Sequence, residues 1–147
     1  MKKIFLIIII LNITACCLFS VSKREIKSSE KIWVASNVKN YNYTFIVASL
    51  AYDRECSTPK VGIEVEVRNG KLKKFGTCEL NVEKALKFGT VNRIFETLLR
   101  EKSDSPPGFA VTFNKKYGYP EYVDINYSNL RTDYRVQYHI LDLKVVE

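Results

Sequence analysis

The dipeptide Asn69-Gly70 constrains the fold of this 147-residue chain more than any other feature. It separates residues 61–68, in which apolar and polar side chains alternate, from a second short segment at 71–77. Asn-Gly is the strongest short signal for a two-residue β-hairpin, because both central residues of the turn need positive φ. The alternation is typical of a strand with one buried face. The sequence therefore predicts an antiparallel hairpin in which Arg68 lies opposite Lys71.

Irregularities are expected in two strands. In the second strand of the hairpin a strict register turns Lys74 inward and Phe75 outward, so we expect a bulge near Phe75 or Gly76. In the last segment of the chain the apolar positions change parity, which also implies a bulge. Those positions pass from Val136, Tyr138 and Ile140 to Leu141, Leu143 and Val145.

Aromatic and β-branched residues at alternate positions predict four more strands. They fall at 41–47, 109–113, 123–125 and 136–145. Thr90 is expected to cap the clearer of two helices, in which Glu96 and Arg100 form an i,i+4 pair. Its buried stripe has helical spacing and consists of Val91, Ile94, Phe95, Leu98 and Leu99. Ser28 or Ser29 is expected to cap a short first helix.

These elements predict an α+β fold in one domain at residues 28–147. The order helix, three strands, helix, three strands fits an antiparallel sheet of about six strands with two helices on one face. A chain of this length can bury its own core.

The N-terminus carries the pattern of an export signal. Lys2-Lys3 precede an apolar run at 4–11, and Ile13-Thr14-Ala15-Cys16 follows. A charged start, an apolar run and small residues at the cleavage point are typical of secretory signals. A cysteine after the small residue resembles the lipobox of bacterial lipoproteins, where the thiol is acylated with chains such as palmitate. We expect a signal peptide at 1–15, then lipidated Cys16 and a linker at 16–27.

Two alternatives for the N-terminus stay open. One is a secretory signal that is cut without lipidation. The other is a retained transmembrane helix, although such a helix needs about 20 apolar residues and Asn12 and Thr14 interrupt this run. Cys17 is a weaker candidate for acylation than Cys16.

A lipid anchor predicts a membrane partner and a location in the bacterial cell envelope. If the host has two membranes, we expect the periplasmic face of the outer membrane, because Cys17 stands where an Asp commonly retains lipoproteins at the inner membrane. Of 23 basic residues, Lys2 and Lys3 are removed with the signal, which leaves 21 against 16 acidic residues and a net charge of +5. This surface either faces anionic lipid headgroups or is ordinary solvated charge. An exported protein is not expected to meet nucleic acid.

Cys56 and Cys78 remain after the lipobox pair. In an oxidising compartment such a pair most often forms a disulfide, and the hairpin brings Cys78 opposite Val61, near the loop that carries Cys56. The enclosed loop of about twenty residues gives on the order of 3 kcal/mol of stabilisation. Free thiols are the alternative. A zinc site is not expected, because His139 alone does not complete the ligand set.

Five segments together resemble a family of bacterial lipoproteins that is known only as a domain of unknown function in cell-envelope proteins. The segments are Trp33 with 40–45, 65–71, 90–98, 117–120 and 123–125, and the resemblance covers about residues 31–143. In that family a cysteine follows the first strand, as Cys56 does here, whereas the closely spaced second cysteine is missing from this chain. The resemblance implies a fold and a location, and no activity.

Residues suited to catalysis are sparse, so we expect no enzyme, no cofactor and no metal. His139 should lie beside Arg135 and Gln137 on the polar side of the last strand. Residues 124–129 resemble the start of a calcium loop, but Arg135 occupies the position of the bidentate Glu. An Asx turn explains the same residues.

The expected function is a non-enzymatic binding or accessory module that presents its sheet or a tyrosine-rich turn to an unknown envelope protein. Tyrosine suits interfaces because it combines apolar area with a hydroxyl. The candidate partner surface consists of Tyr117, Tyr119, Pro120, Tyr122 and Tyr127. The alternative is a small-ligand-binding protein or an enzyme that uses acidic residues around Asp124 and Asp133. A third possibility is an inhibitor of an exported hydrolase.

Overall fold

A computed structural model describes residues 20–48, 62–76, 87–128 and 135–147. Within these ranges, two helices and six strands follow the predicted order of helix, three strands, helix, three strands. They are α1 (Lys23–Ala35), β1 (Tyr41–Ala48), β2 (Ile63–Arg68), β3 (Lys71–Phe75), α2 (Val91–Ser103), β4 (Gly108–Phe113), β5 (Pro120–Asn126) and β6 (Arg135–Val145). The α+β prediction is confirmed.

The six strands form one antiparallel sheet in the order β3-β2-β1-β6-β5-β4. The predicted hairpin between β2 and β3 is present, with Arg68 opposite Lys71. Asn69 and Gly70 both have positive φ, at 51° and 71°. β1 and β6 pair at the centre of the sheet, so the first three strands and the last three form one continuous sheet.

Alternate residues of the strands form the core between the sheet and the two helices. Tyr41, Tyr43 and Phe45 of β1 are buried, whereas Asn42 between them is exposed. The helices add Ile26 and Trp33 of α1 and the apolar stripe of α2, in which Val91, Ile94, Phe95 and Leu98 are buried and Leu99 packs at the margin. Burial of this apolar area is the main stabilisation of the fold.

The first helix begins earlier than predicted. Its cap is Ser22 rather than Ser28 or Ser29, and Ser22 forms a capping box with Glu25. The Ser22 hydroxyl accepts from the Glu25 N–H at 3.2 Å, and the Glu25 carboxylate accepts from the Ser22 N–H at 2.7 Å. The fold therefore includes residues from 20 onward, which the sequence assigned to a linker.

The second helix begins as predicted, since the Thr90 hydroxyl accepts from the Arg93 N–H at 3.2 Å. The predicted pair between Glu96 and Arg100 is wrong. Glu96 pairs instead with Arg93 at 2.7 Å, one turn toward the N-terminus, and Arg100 reaches Glu101.

β3 and β6 each contain a bulge as predicted, but each bulge lies one or two residues from the predicted position. In β3 the bulge lies at Lys73, between Leu72 opposite Val67 and Lys74 opposite Glu66, so that Phe75 turns inward. In β6 it lies at Asp142, which has a φ of 52°. Leu143 packs against the core beyond it, but Leu141 lies opposite Thr44 and is exposed, contrary to the prediction that it continues the core face.

Candidate functional site

The sheet has one face packed against α1 and α2 and another that we call the helix-free face. The register places strongly polar side chains on the helix-free face, and none of the helices and strands described above lies over it. Its central residues are Asn42, Thr44, Glu64, Glu66, Tyr122, Asp124, Gln137 and His139.

Asp124 is the centre of a hydrogen-bond network on this face. It lies in β5 directly opposite Gln137 of β6. Arg135 binds both of its carboxylate oxygens, with Nε at 2.7 Å from Oδ1 and Nη2 bound to Oδ2. The Gln137 amide and the Tyr122 hydroxyl also donate to Oδ2, each at 3.1 Å. Four donors from three side chains therefore hold one carboxylate.

The network keeps Asp124 ionised. The hydrogen bonds from Arg135 are the main cause that lowers the pKa of Asp124, and those from Gln137 and Tyr122 act in the same direction against the effect of burial. The same carboxylate raises the pKa of Arg135. Because both oxygens of Asp124 are already engaged, the carboxylate is poorly placed to act as a general base, which must reach a substrate proton.

The network also orders the side chains around Asp124. The Asp124 side chain is 12% exposed, whereas Arg135 is 51% exposed and presents its guanidinium at the surface. The His139 ring packs on the Tyr122 ring with centroids 4.7 Å apart. His139 lies beside Arg135 and Gln137 on the polar side of β6, as predicted. Bidentate arginine–carboxylate geometry and packed rings favour a fixed surface suited to recognition.

A shallow groove of about 310 Å³ lies beside this network, where the bulge at Asp142 bends β6. Its walls carry charges of both signs, and on one side Lys74 pairs with Glu64 at 2.9 Å. The charged residues that line it are Glu64, Glu66, Lys74, Asp142 and Lys144. The groove extends the polar surface across β2, β1 and β6.

The five residues predicted as a partner surface lie in three different places. Tyr119 and Pro120 are buried, and the Tyr119 ring contacts Trp33 of α1 edge-on with centroids 6.4 Å apart. Tyr117 is half-buried in the turn before them. Tyr122 belongs to the helix-free face, and Tyr127 donates to Glu101 of α2 at 2.8 Å. Only Tyr122 contributes to the Asp124 network.

The turn between β4 and β5 is fixed against α1 at Gly118. Its φ is 78°, and a Cβ at this position would lie 2.5 Å from the carbonyl oxygen of Ser29 and 2.9 Å from Cβ of Ile32. The turn itself is closed by Asn114, whose side chain accepts from the Lys116 and Tyr117 N–H groups. Residues 117–120, one of the segments that carry the family resemblance, therefore help to pack the sheet against α1.

The sequence did not indicate a second cleft, of about 250 Å³, where α1 ends beside the β2–β3 turn. Trp33 donates its indole N–H to Asn92 at 2.7 Å at this point. Asn37 and Asn69 also line the cleft, and both have positive φ. These amides can donate and accept hydrogen bonds to a polar molecule. They come from three separate elements, so no local pattern connects them.

The cysteines of the sequence analysis, Cys16, Cys17, Cys56 and Cys78, and also Asp133, lie outside the described residues. Among the residues that are described, no group of three His, Cys, Asp or Glu side chains is arranged to hold a metal ion. In the same part of the chain, no helix has the length and apolarity needed to cross a membrane.

The part of the chain that the structure describes forms an α+β fold, with two helices on one face of a six-stranded antiparallel sheet and an ordered polar surface on the other. The chain belongs to DUF6174, a family of unknown function, whose sequence profile matches residues 25–145. No curated protein and no solved structure matches the chain significantly. The match starts within α1 and ends at the last residue of β6.

Proposed function

We propose that the protein is a lipid-anchored component of the bacterial cell envelope that acts by binding another envelope protein and not by catalysis. The anchor is supported by the lipobox-like segment that ends at Cys16. The binding role is supported by the network around Asp124. A carboxylate fully engaged by Arg135, Gln137 and Tyr122 orders a surface, whereas a catalytic carboxylate needs a free oxygen.

The anchor is tested by intact mass of the protein extracted from bacterial membranes with detergent. We expect the chain to begin at Cys16 and to carry the mass of a diacylglyceryl group, with label incorporated from palmitate. Cys16→Ala should abolish the label, and Cys17→Ala should retain it. An unmodified chain, or one labelled only through Cys17, would refute the anchor at Cys16.

The partner surface is tested by photo-crosslinking in cells. Leu141 lies on the helix-free face and is 40% exposed, while Val34 on α1 is 64% exposed. A benzophenone amino acid at position 141 should give a discrete protein adduct, and the same group at position 34 should not. Adducts only from position 34, or from neither position, would argue against the helix-free face.

The contribution of the network to that adduct is tested with Arg135→Ala. We expect at least a fivefold lower yield at position 141, because the ordered guanidinium is lost. Arg93→Ala also removes one arginine from an ion pair, but on α2, and should leave the yield unchanged.

The same experiments address the two alternative functions. If the crosslinked partner is a hydrolase, the protein is an inhibitor of that enzyme. If Asp124 instead serves a ligand or a reaction, a screen should detect an activity that Asp124→Asn abolishes.

We further propose a disulfide between Cys56 and Cys78, on the reasoning from the hairpin and the oxidising compartment. The non-reduced protein should yield a single peptide pair joined through these cysteines on mass spectrometry. Its reduction should lower the free energy of unfolding by on the order of 3 kcal/mol. Two alkylatable thiols in the freshly extracted protein would refute the bond.

A further inference from the structure

We propose that the outward side of α1, together with the turn between β4 and β5, lies against anionic phospholipid headgroups and turns the helix-free face away from the bilayer. This inference rests on the proposed anchor at Cys16, and it specifies which surface the anchor holds at the membrane. We call this surface the basic surface; it consists of Lys23, Arg24, Lys27, Lys31, Lys115 and Lys116.

The cations of α1 are exposed. Lys23, Lys27 and Lys31 follow each other at i,i+4 spacing, so they lie along one side of the helix. None of them forms an ion pair within the described part of the chain. The other arginines that the structure describes are paired with carboxylates, namely Arg68, Arg93, Arg100 and Arg135. Unpaired, exposed cations are free to bind phosphate groups.

The position of these charges in α1 opposes what helix stability favours. Cations are stabilising near the C-terminus of a helix and unfavourable near its N-terminus, because of the helix dipole. Lys23 and Arg24 occupy the first turn of α1, and its last turn has no basic residue. In α2 the last turn carries Arg100 and Lys102, and the one cation of its first turn, Arg93, is paired with Glu96. The charges of α1 are therefore better explained by an external anionic surface than by the fold.

The turn between β4 and β5 adds two cations next to α1. Lys115 and Lys116 are exposed, and Gly118 fixes the turn against Ile32 of the helix. Ile32 itself is 46% exposed, and Val34 is also exposed. Cations beside exposed apolar side chains are the composition of helices that lie in the headgroup region of a bilayer.

The distance to the anchor keeps this surface near the membrane. Ser20 is four residues after Cys16, so the connecting chain spans at most roughly 14 Å. Val21 is tied into the fold, since its N–H donates to the carbonyl of Phe109 at 3.0 Å. Ser20, three residues before the start of α1, must then stay within that distance of the acylated cysteine. Anionic lipid attracts each nearby cation over about a Debye length, which is roughly 8 Å at physiological ionic strength.

Amine footprinting tests this orientation on the natively processed full chain. The protein is reconstituted into vesicles of phosphatidylcholine with 30% phosphatidylglycerol, or of phosphatidylcholine alone, and is briefly acetylated. Mass spectrometry then gives the modification rate of each lysine. In the anionic vesicles we expect Lys23, Lys27, Lys31, Lys115 and Lys116 to react at least fivefold more slowly than in the neutral ones. Lys71 and Lys144 lie on the helix-free face and should change less than twofold.

Charge reversal separates electrostatic docking from simple crowding at the surface. Lys27→Glu with Lys31→Glu should remove most of the protection at Lys115 and Lys116. The matched control, Lys71→Glu with Lys144→Glu, changes the net charge equally on the opposite face and should retain it. Sodium chloride at 1 M should also remove the protection, because the Debye length falls to about 3 Å.

The outcomes are distinct. If intact mass shows lipidated Cys16 but protection is uniform, or falls on Lys71 and Lys144, the inference is refuted and the anchor stands. If Cys16 is unmodified, the anchor is refuted and the membrane orientation is refuted with it. If protection is equal in neutral and anionic vesicles, the bilayer does not select this surface by charge.

Discussion

The carboxylate of Asp124 is held by more donors than a surface ion pair usually has. Asp124→Asn retains the size of the side chain and removes its charge, which leaves Arg135 without its partner. We expect the free energy of unfolding at pH 7 to fall by about 1 kcal/mol, since Asp124 is mostly buried and Arg135 is half exposed. Urea-induced unfolding measures the difference. Glu64→Gln, which breaks an exposed pair with Lys74, is the control and should cost less than about 0.5 kcal/mol.

The pH dependence of this effect follows from the lowered pKa of Asp124. A carboxyl with a lower pKa in the folded state stabilises the fold at pH values above its unfolded pKa of about 3.9. That stabilisation is lost as the pH falls through the folded-state pKa. The wild type and Asp124→Asn should therefore converge in stability as the pH falls below about 4. A gap that persists undiminished at the acid limit would contradict an ionic origin.

Two glycines with positive φ offer a matched pair of substitutions. Gly118→Ala would force a Cβ against the Ser29 carbonyl and Ile32, whereas Gly70, with a φ of 71°, has no atom within 4 Å of the corresponding position. Backbone strain is common to both, and the steric clash belongs to Gly118 alone. We expect thermal unfolding to show a loss of about 1 kcal/mol for Gly70→Ala and about 2–4 kcal/mol for Gly118→Ala. Equal losses would mean that the turn does not pack tightly against α1.

At the scale of elements, the structure and the sequence prediction differ in where α1 begins: the cap is Ser22 in the structure and Ser28 or Ser29 in the prediction. Ser22→Ala removes the capping hydroxyl and should lower the free energy of unfolding by about 1 kcal/mol. Ser28→Ala lies within the helix and is exposed. It should be neutral or stabilising by a few tenths of a kcal/mol, because alanine has the higher helix propensity. Chemical denaturation of both variants decides which serine is the cap, and the reverse ranking would place it at Ser28.

The elements that the sequence predicts correctly have local signals. The β2–β3 turn follows from Asn69-Gly70, and α2 follows from Thr90 and a regular apolar stripe, so neither needs knowledge of distant residues. Ser22 with Glu25 is also a local signal, but it lies directly after the predicted export signal, where a linker is the usual expectation. A bulge in β3 is predictable from the alternation of apolar and polar residues, because Phe75 reaches the buried face only if the register shifts by one residue.

The candidate site could not be predicted from the sequence, because its contacts depend on the register between β5 and β6. Asp124 and Arg135 are 11 residues apart, and their contact depends on which residue of β6 lies opposite Asp124. Alternation predicts that Arg135, Gln137 and His139 share a side, but it does not identify the carboxylate that they face. The asparagine-lined cleft was missed for the same reason, because Asn37, Asn69 and Asn92 approach one another only in the folded chain.

At the scale of the whole molecule, β1 joins the two halves through more than backbone pairing. The Tyr43 hydroxyl donates to the carbonyl of Phe88 at 2.5 Å, and the Tyr41 hydroxyl accepts from the Val91 N–H at 3.0 Å. Both bonds connect the centre of the sheet to the start of α2. The same strand pairs with β2 on one side and β6 on the other. The sheet and α2 should therefore unfold as one cooperative unit.

This arrangement makes the fold sensitive to alkaline pH. Burial raises the pKa of Tyr41 to about 12 and that of Tyr43 well above its ordinary value. A phenol with a raised folded-state pKa stabilises the fold fully below its unfolded pKa of about 10, and the stabilisation is lost as the pH rises through the folded-state value.

Between pH 9 and pH 11 the wild type should lose about 1 kcal/mol more stability than Tyr41→Phe, which has no proton to release at that position. Urea-induced unfolding across this range measures both slopes. Tyr41→Phe should begin about 1 kcal/mol less stable at pH 7, because the Val91 N–H loses its acceptor, and the two curves should then approach each other. Parallel curves would show that Tyr41 ionises as readily in the folded protein as in the unfolded chain.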